Sequence, residues 1–213
     1  APMKKDSDLQ YLLWMTEVAG IAPQKGVRLL EVFGSAKAVW EASDKQISGC
    51  VKLEETEQKR LKNRSLATPN LILGRCRFQN IRILPIWDED YPDRLRNIYD
   101  PPLVLYYKGT LPDFDSQPVI GVVGTRKASP YGQKTARLLA SQIAACGGLV
   151  VSGMAFGIDG MAMSGALTAG EVTVGVLGCG ADLVYPLSNR GLFRDVEAYG
   201  CILSEFAPGT QPA

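Results

Sequence analysis

From residue 119 onward the chain alternates between short runs that are apolar almost throughout and longer stretches with a helical repeat. That alternation leaves few folds open. Val119-Ile120-Gly121-Val122-Val123, Leu149-Val150-Val151, Val172-Thr173-Val174-Gly175-Val176-Leu177 and Cys201-Ile202-Leu203 lack the polar side that a half-exposed strand shows. Strands of this composition are buried on both faces. Between them, Gln133 to Cys146 sets Ala136, Leu139, Ala140 and Ile143 on one helical face, and Asp159–Ala169 and Asn189–Tyr199 fill the next two intervals. Buried strands that alternate with helices predict a parallel sheet covered by helices on both faces.

Right-handed crossovers make such a unit Rossmann-like and doubly wound, an α/β fold. About four parallel strands fit into residues 119–213, fewer than a complete domain of this class usually holds. The Rossmann-like domain is therefore expected to be incomplete at its C-terminus. Its lead-in starts at residue 81, where the period changes to two strand-like runs, Ile81 to Ile86 and Leu103 to Tyr107. A turn-rich segment with Pro92, Pro101 and Pro102 separates these runs, and Gly109 to Pro118 reads as a linker.

Residues 4–80 read as a small all-helical domain, with Ala1-Pro2-Met3 set aside from the fold. Leu9, Leu12, Leu13 and Val18 give a first helix, and Val27 to Phe33 a second that Gly34 and Ser35 end. Ser35 is placed to cap a third helix through Trp40. Ser48-Gly49 reads as a turn, 54–66 as an exposed helix, and Pro69 to Asn80 as the last helix.

Two absences narrow the chemistry. The 213 residues contain no histidine, which removes the usual general base and the commonest metal ligand. Five cysteines, Cys50, Cys76, Cys146, Cys179 and Cys201, form no C-x-x-C pair and read as free thiols in a reducing cytoplasm. No apolar run approaches a membrane span, and no basic start leads into an apolar segment. Neither a metal nor a cofactor is expected. Net charge is only +1, but its distribution is uneven: residues 1–80 hold 13 Lys and Arg against 9 Asp and Glu, and residues 81–117 hold 4 against 7. Within 118–158, Arg126, Lys127, Lys134 and Arg137 stand without a single acid, an excess suited either to an anion or to a solvated surface.

Ligands of a doubly wound sheet bind where loops leave the carboxyl ends of the strands. The first such loop is Gly124-Thr125-Arg126-Lys127-Ala128-Ser129-Pro130. It offers a glycine for close backbone approach, the hydroxyls of Thr125 and Ser129, and a guanidinium fork suited to phosphate. The second is Ser152-Gly153-Met154-Ala155-Phe156-Gly157-Ile158-Asp159, with Asp159 placed as N-cap of the following helix. The third holds Gly178-Cys179-Gly180 and then Tyr185-Pro186-Leu187-Ser188-Asn189-Arg190. Three small-residue loops on one edge make a shallow groove of backbone donors, a better fit to repeated phosphates than to one deep substrate. Gly121-Val122-Val123-Gly124 has the wrong spacing for a dinucleotide fingerprint, and Cys179 has no base to activate it as a nucleophile.

These loops together resemble the DNA processing protein A (DprA/Smf) family: Gly124-Thr125-Arg126, Ser152-Gly153-Met154-Ala155-x-Gly157-Ile158-Asp159, and Gly178-x-Gly180 with Tyr185-Pro186-x-x-Asn189. The likeness extends upstream to Asp88-x-x-Tyr91-Pro92-x-x-Leu95, Asp100-Pro101-Pro102 and Leu105-Tyr106-x-Lys108-Gly109. It reaches Gly20-Ile21-x-x-x-Lys25 and Leu29-Leu30-x-x-Phe33-Gly34-Ser35 in the helical part, which resembles a SAM or helix-hairpin-helix domain. The resemblance implies a cytoplasmic, homodimeric, non-enzymatic protein of natural transformation. Such a protein binds and protects incoming single-stranded DNA and helps load the RecA recombinase. By position, Arg126 carries over as the phosphate-binding arginine. The implied DNA contacts are Gly124, Thr125, Lys127, Ser129, Ser152, Gly153, Ala155, Gly157, Gly178, Gly180, Tyr185, Asn189 and Arg190. Tyr185 and Phe156 are the aromatic candidates for base stacking, with packing as the competing role for both.

The chain departs from the family pattern at Phe156, where an arginine is usual, and at Met163, where a histidine is common. The family continues past Ser204-Glu205-x-x-Pro208-Gly209-x-x-Pro212 into an arginine-rich motif, more sheet and, in some members, a winged-helix domain. Two other readings stand beside this one. The first is a nucleotide-binding or nucleotide-hydrolysing enzyme of the lysine-decarboxylase-like group, known by a Pro-Gly-Gly-x-Gly-Thr-x-x-Glu loop that does not occur here. The second is an interaction module in which the helical domain meets a protein partner, or contacts duplex DNA through Lys25 and Arg28.

Overall fold

The computed structural model describes residues 8–212. Ala1-Pro2-Met3 and the expected domain start at residue 4 lie outside the described residues. The chain divides into two compact units: the helices up to Phe78 together with Leu84–Val104, and Gln79–Ile83 together with Leu105 onward. The sequence places a single boundary at residue 81, whereas the proline-rich segment clusters with the helices.

In the first unit, α1 (Leu9–Leu13) runs directly into a π-helical turn over Trp14–Val18. Leu12, Leu13, Trp14 and Met15 are all buried there, and the Trp14 indole donates to the Asn63 carbonyl at 2.7 Å. The helix α2 (Pro23–Phe33) begins on Pro23 and ends at Gly34, whose φ of 79° makes the left-handed C-cap. Ser35 caps α3 (Ala36–Glu41) by accepting from the Ala38 N–H at 3.1 Å. The next helix, α4 (Asp44–Cys50), runs through Ser48 and Gly49, where the sequence suggests a turn. A capping box between Ser43 and Gln46 starts it and outweighs the weak propensity of those two residues. Two more helices, α5 (Glu55–Leu61) and α6 (Ala67–Phe78), follow. In the proline-rich segment Arg96 donates to the carbonyls of Ile86, Asp88 and Tyr91, which holds a short helix over Asp93–Arg96 (α7) where only turns were expected.

Glu57 is a buried acid of this unit. Its carboxylate accepts from the N–H groups of Ala22 at 3.2 Å and Glu54 at 2.7 Å, and from Lys25 Nζ at 2.6 Å. Asp100 accepts from the Gln24 N–H at 3.3 Å. The N-terminus of α2 is therefore covered by the protein's own carboxylates. Lys25, offered by the sequence for duplex DNA, is committed to Glu57, and Arg28 pairs with Glu31 at 3.3 Å on the surface.

The sheet has six strands in the order β1 (Arg82–Pro85), β2 (Val104–Gly109), β6 (Cys201–Ser204), β5 (Thr173–Leu177), β4 (Leu149–Ser152) and β3 (Val119–Gly121). The strands β3 to β6 are parallel, and β2 runs antiparallel to β6 with Tyr106 opposite Ser204. The α/β Rossmann-like class holds, with the lead-in strands extending the same sheet. Three crossover helices connect the parallel strands: α8 (Pro130–Ala145), α9 (Ile158–Thr168) and α10 (Arg190–Tyr199). The parallel strands follow one another in space in chain order, so crossovers of one hand lay all three helices in one layer, α8 on α9 and α9 on α10. Val176 of β5 is 38% exposed.

Small side chains set the spacing in that layer. Ala140 and Ala144 of α8 meet Ala162 and Ala166 of α9 over Val150. At Gly165 a β-carbon would stand 2.2 Å from the Arg137 carbonyl oxygen, so the two helices approach more closely than any side chain allows. Gly165→Ala is expected to force them apart and destabilise the protein by about 1–3 kcal/mol. A chemical-denaturation midpoint equal to that of the wild type would contradict this.

Glu57 generates a second prediction. Burial pushes its carboxyl up, but the hydrogen bond from Lys25 and the N–H groups of Glu54 and Ala22 together outweigh this and hold it below 4.5. A depressed carboxyl contributes stability that is fully present above its unfolded value and is lost as pH falls through the folded one. Urea midpoints measured from neutral pH down through the carboxylate range should fall for the wild type and show a shallower fall for Glu57→Gln. Equal slopes would remove Glu57 as the titrating group.

Candidate functional site

The carboxyl edge of β3 to β6 is assembled by contacts between its loops. Past β3, the Val122 N–H still donates to the Val151 carbonyl at 2.9 Å, and Ser152 Oγ donates to the Val122 carbonyl at 2.6 Å. The Gly124 N–H then reaches the Asp159 carboxylate at 3.2 Å. Asp159 is not the N-cap that the sequence predicts. The N-cap position is Gly157, and Asp159 sits in the first turn of α9, buried, with its carboxylate turned across to the neighbouring loop. The reason lies in Gly157. Its φ of 76° brings the backbone against the first loop, where a β-carbon would stand 2.2 Å from the Thr125 carbonyl oxygen. The Ile158 N–H completes this seam by donating to that same carbonyl at 3.2 Å.

The third loop is tied on by Asn189, whose amide Nδ2 donates to the Met154 carbonyl at 2.9 Å and the Ala155 carbonyl at 3.3 Å. Farther along, the Gly180 N–H donates to the Thr210 carbonyl, and Asp182 accepts from the Gly209 N–H, both at 2.9 Å. Ser204 Oγ donates to the Cys179 carbonyl at 2.6 Å. The loops thus form one connected rim.

Two adjoining hollows open on this rim. Of the residues named from the sequence, Arg126, Gly153, Ala155, Gly178 and Tyr185 line the first, of about 210 Å³. Arg126, Lys127, Ala155, Gly157 and Asn189 line the second, of about 330 Å³. Phe156, 47% exposed, borders both hollows, as does Arg126. Gly124 and Thr125 are exposed in the same loop, and Thr125 Oγ1 accepts from the Lys127 N–H at 3.1 Å. Arg190 is exposed at the start of α10.

Three predicted residues do other work. Ser152 is buried with its hydroxyl given to Val122. Ser129 accepts from the Gly132 N–H at 3.2 Å as the N-cap of α8. Gly180 is buried under the C-terminal segment. Leu177, Pro186 and Pro212 line the first hollow, and Gln133 and Met161 the second; of these only Pro186 and Pro212 stand in a motif legible in the sequence. Burial, and then the Asp182 carboxylate, push the Cys179 thiol up, which keeps it protonated and unreactive at neutral pH. Among the described residues no cluster of three or more His, Cys, Asp or Glu could hold a metal ion, and no helix is long and apolar enough to cross a membrane. The rim can therefore offer backbone, the exposed guanidinium groups of Arg126 and Arg190, which have no ion pair among the described residues, and aromatic faces to a ligand.

Comparison with known proteins agrees with this architecture. The family described as DNA recombination-mediator protein A matches residues 82–213. The chain is 35% identical to protein Smf of Synechocystis sp. over 217 residues, covering 97% of this chain and 53% of that protein. It is 38% identical to DNA processing protein DprA of Bacillus subtilis over 141 residues, 66% of this chain and 48% of that one. The X-ray structure of DNA processing protein A from Streptococcus pneumoniae superposes with a TM-score of 0.78 at 30% identity, over 96% of this chain and 70% of that one. The Helicobacter pylori DNA processing protein A, whose structure was described for its unique single-stranded DNA binding mode, gives a TM-score of 0.56 at 30% identity over 62% of this chain and 59% of that one. The sheet, the crossover helices and the glycine-rich rim are those of a DNA recombination-mediator fold. The chain belongs to the DNA recombination-mediator protein A family, the DprA/Smf proteins, and spans about half the length of the curated relatives it matches.

The rim's central contact is directly testable. Asp159→Ala leaves the Gly124 N–H without its acceptor, at an expected cost of about 1–3 kcal/mol. Hydrogen exchange at the Gly124 amide should accelerate while amides of α8 keep their protection. Unchanged exchange at Gly124 would show that the carboxylate is not its partner.

Proposed function

We propose that this chain binds single-stranded DNA along the rim of the parallel sheet, without sequence preference and without chemistry of its own. In the fuller form of this reading it protects incoming strands in the cytoplasm during natural transformation, delivers them to the RecA recombinase, and works as a homodimer. The division into a helical domain up to residue 80 and a Rossmann-like DNA-binding domain from residue 81 is part of the same reading. Family membership supports the recombination role, and the Helicobacter pylori relative supports single-stranded DNA as the ligand.

The observation that carries the proposal is the position of Arg126. Its guanidinium borders both hollows, is exposed, and has no carboxylate partner among the described residues. Around it stand the backbone of Gly153 and Gly178 and the exposed rings of Phe156 and Tyr185, the latter 51% exposed. A phosphate accepts from the fork and from main-chain N–H groups, and bases stack on the rings; none of these contacts distinguishes one base from another. Phe156 in place of the usual arginine exchanges one phosphate contact for a stacking face. The protonated Cys179 thiol and the committed hydroxyl of Ser152 support binding over hydrolysis.

Arg126→Ala is expected to weaken binding of a labelled single-stranded oligonucleotide and to lower its salt slope by about 0.7, the contribution of one phosphate contact. Fluorescence anisotropy over a salt series reads both quantities. Affinity and slope unchanged from the wild type would take Arg126 out of the site, and steady turnover of a nucleoside monophosphate would replace binding with nucleotide hydrolysis.

A further inference from the structure

Beyond Lys127, which lines the second hollow, the chain turns into α8, and the start of that helix is dressed unlike an ordinary solvated surface. Tyr131 is 79% exposed and lies one turn before Lys134, also exposed and free of any ion pair among the described residues. Residues three apart share a helix face, so the ring and the ammonium present themselves together. From 118 to 158 the sequence has no acidic residue, so nothing on β3, α8 or the loops at either end repels an anion drawn along this face. Asp159, the first acid that follows, is buried and turned to the Gly124 N–H. An exposed aromatic flanked in sequence by Lys127 and Lys134, on the helix whose Gln133 lines the second hollow, is an arrangement suited to single-stranded nucleic acid: charge tracks the backbone and the ring takes a base.

We propose that the interface is longer than the two hollows, and that a strand passing Lys127 continues along α8, where Tyr131 stacks on a base and Lys134 holds the next phosphate. This rests on the single-stranded DNA reading given above. The helical part of this stretch, from Pro130 to Lys134, spans roughly 6 Å at the helical rise, room for about one or two nucleotides. An acidic peptide would answer the two lysines as well, but it would leave the ring unused and would owe nothing to the cleft beside it.

The test is a length series of homothymidine oligonucleotides, from about four to about sixteen nucleotides, titrated against the whole chain. For the longest strands, Tyr131→Ala should weaken binding about five-fold or more, Tyr131→Phe should bind as the wild type, and Lys134→Ala should lower the salt slope by about 0.7. For the shortest, all three should match the wild type, because those strands are held by the cleft. If Tyr131→Ala and Lys134→Ala bind every length as the wild type does while Arg126→Ala still weakens binding, the α8 track is wrong and the cleft reading stands. An equal loss at every length from Lys134→Ala would also overturn the track, by placing that residue in the cleft. If the wild type binds no length, the track falls together with the reading it rests on.

Discussion

Everything at the carboxyl edge of the parallel strands depends on how closely the first two loops approach each other. At Gly157 the backbone presses on the Thr125 carbonyl with no room for a side chain, and two residues on, the Asp159 carboxylate bridges to the Gly124 N–H. Each contact needs the other. Gly157 in its left-handed conformation turns α9 so that Asp159 points across rather than down its own helix, and the bridge then keeps the loops from parting. With the low local dielectric of a buried site, that charge-assisted bond is stronger than a neutral one. The same seam fixes the backbone from which Arg126 projects.

A rim built this way has a definite chemical character. Its polar side chains are mostly used up in holding it: Ser152 on Val122, Ser129 on Gly132, Asn189 on Met154 and Ala155, Asp159 on Gly124. What is left over for a ligand is backbone, guanidinium and ring. Backbone N–H groups and a cation address phosphate, and rings accept any base, so the site is equipped for affinity and poorly equipped for sequence discrimination. Hollows of this shallow form are better filled by a chain crossing them than by one small molecule enclosed in them.

Much of this was legible in the sequence, because the signals were local. The apolar runs of β3 to β6 are strands, Ser35 caps its helix, Gly34 ends one, and Arg126 stands in the loop where an anion-binding residue belongs. What could not be read was decided by long-range contacts. Asp159 looks like an N-cap because its position relative to the helix is right; its partner is 35 residues away, and only the closeness allowed by Gly157 makes it reachable. The helix over Asp44–Cys50 looks broken at Ser48-Gly49 until the reciprocal bonds of Ser43 and Gln46 are counted. The packing of α8 on α9 and of α9 on α10 follows from strand order, which no local pattern encodes. Ser152 and Gly180 belong to motifs that suggest ligand contact, yet they serve the folding of the rim itself.

The two units differ most in what they do with a helix N-terminus. Residues 1–80 are the more basic stretch by sequence, with 13 Lys and Arg against 9 acids, and their Gly20-Ile21-Ala22-Pro23 turn leads into a helix as an anion-binding hairpin would. There, however, Glu57 and Asp100 already accept from the first N–H groups of α2, and Lys25 is bonded to Glu57. A phosphate arriving at that terminus would have to displace a carboxylate that holds the unit together, so the favourable dipole is spent internally. In the sheet unit the polarity is reversed. Net charge over residues 118–213 is zero, with 6 basic and 6 acidic residues, but the acids begin only at Asp159, and the start of α8 is capped by the neutral Ser129. Local arrangement therefore outranks total charge: the stretch with the larger positive excess has covered a helix N-terminus with carboxylates, and the neutral stretch has left Arg126, Lys127 and Lys134 without ion pairs among the described residues.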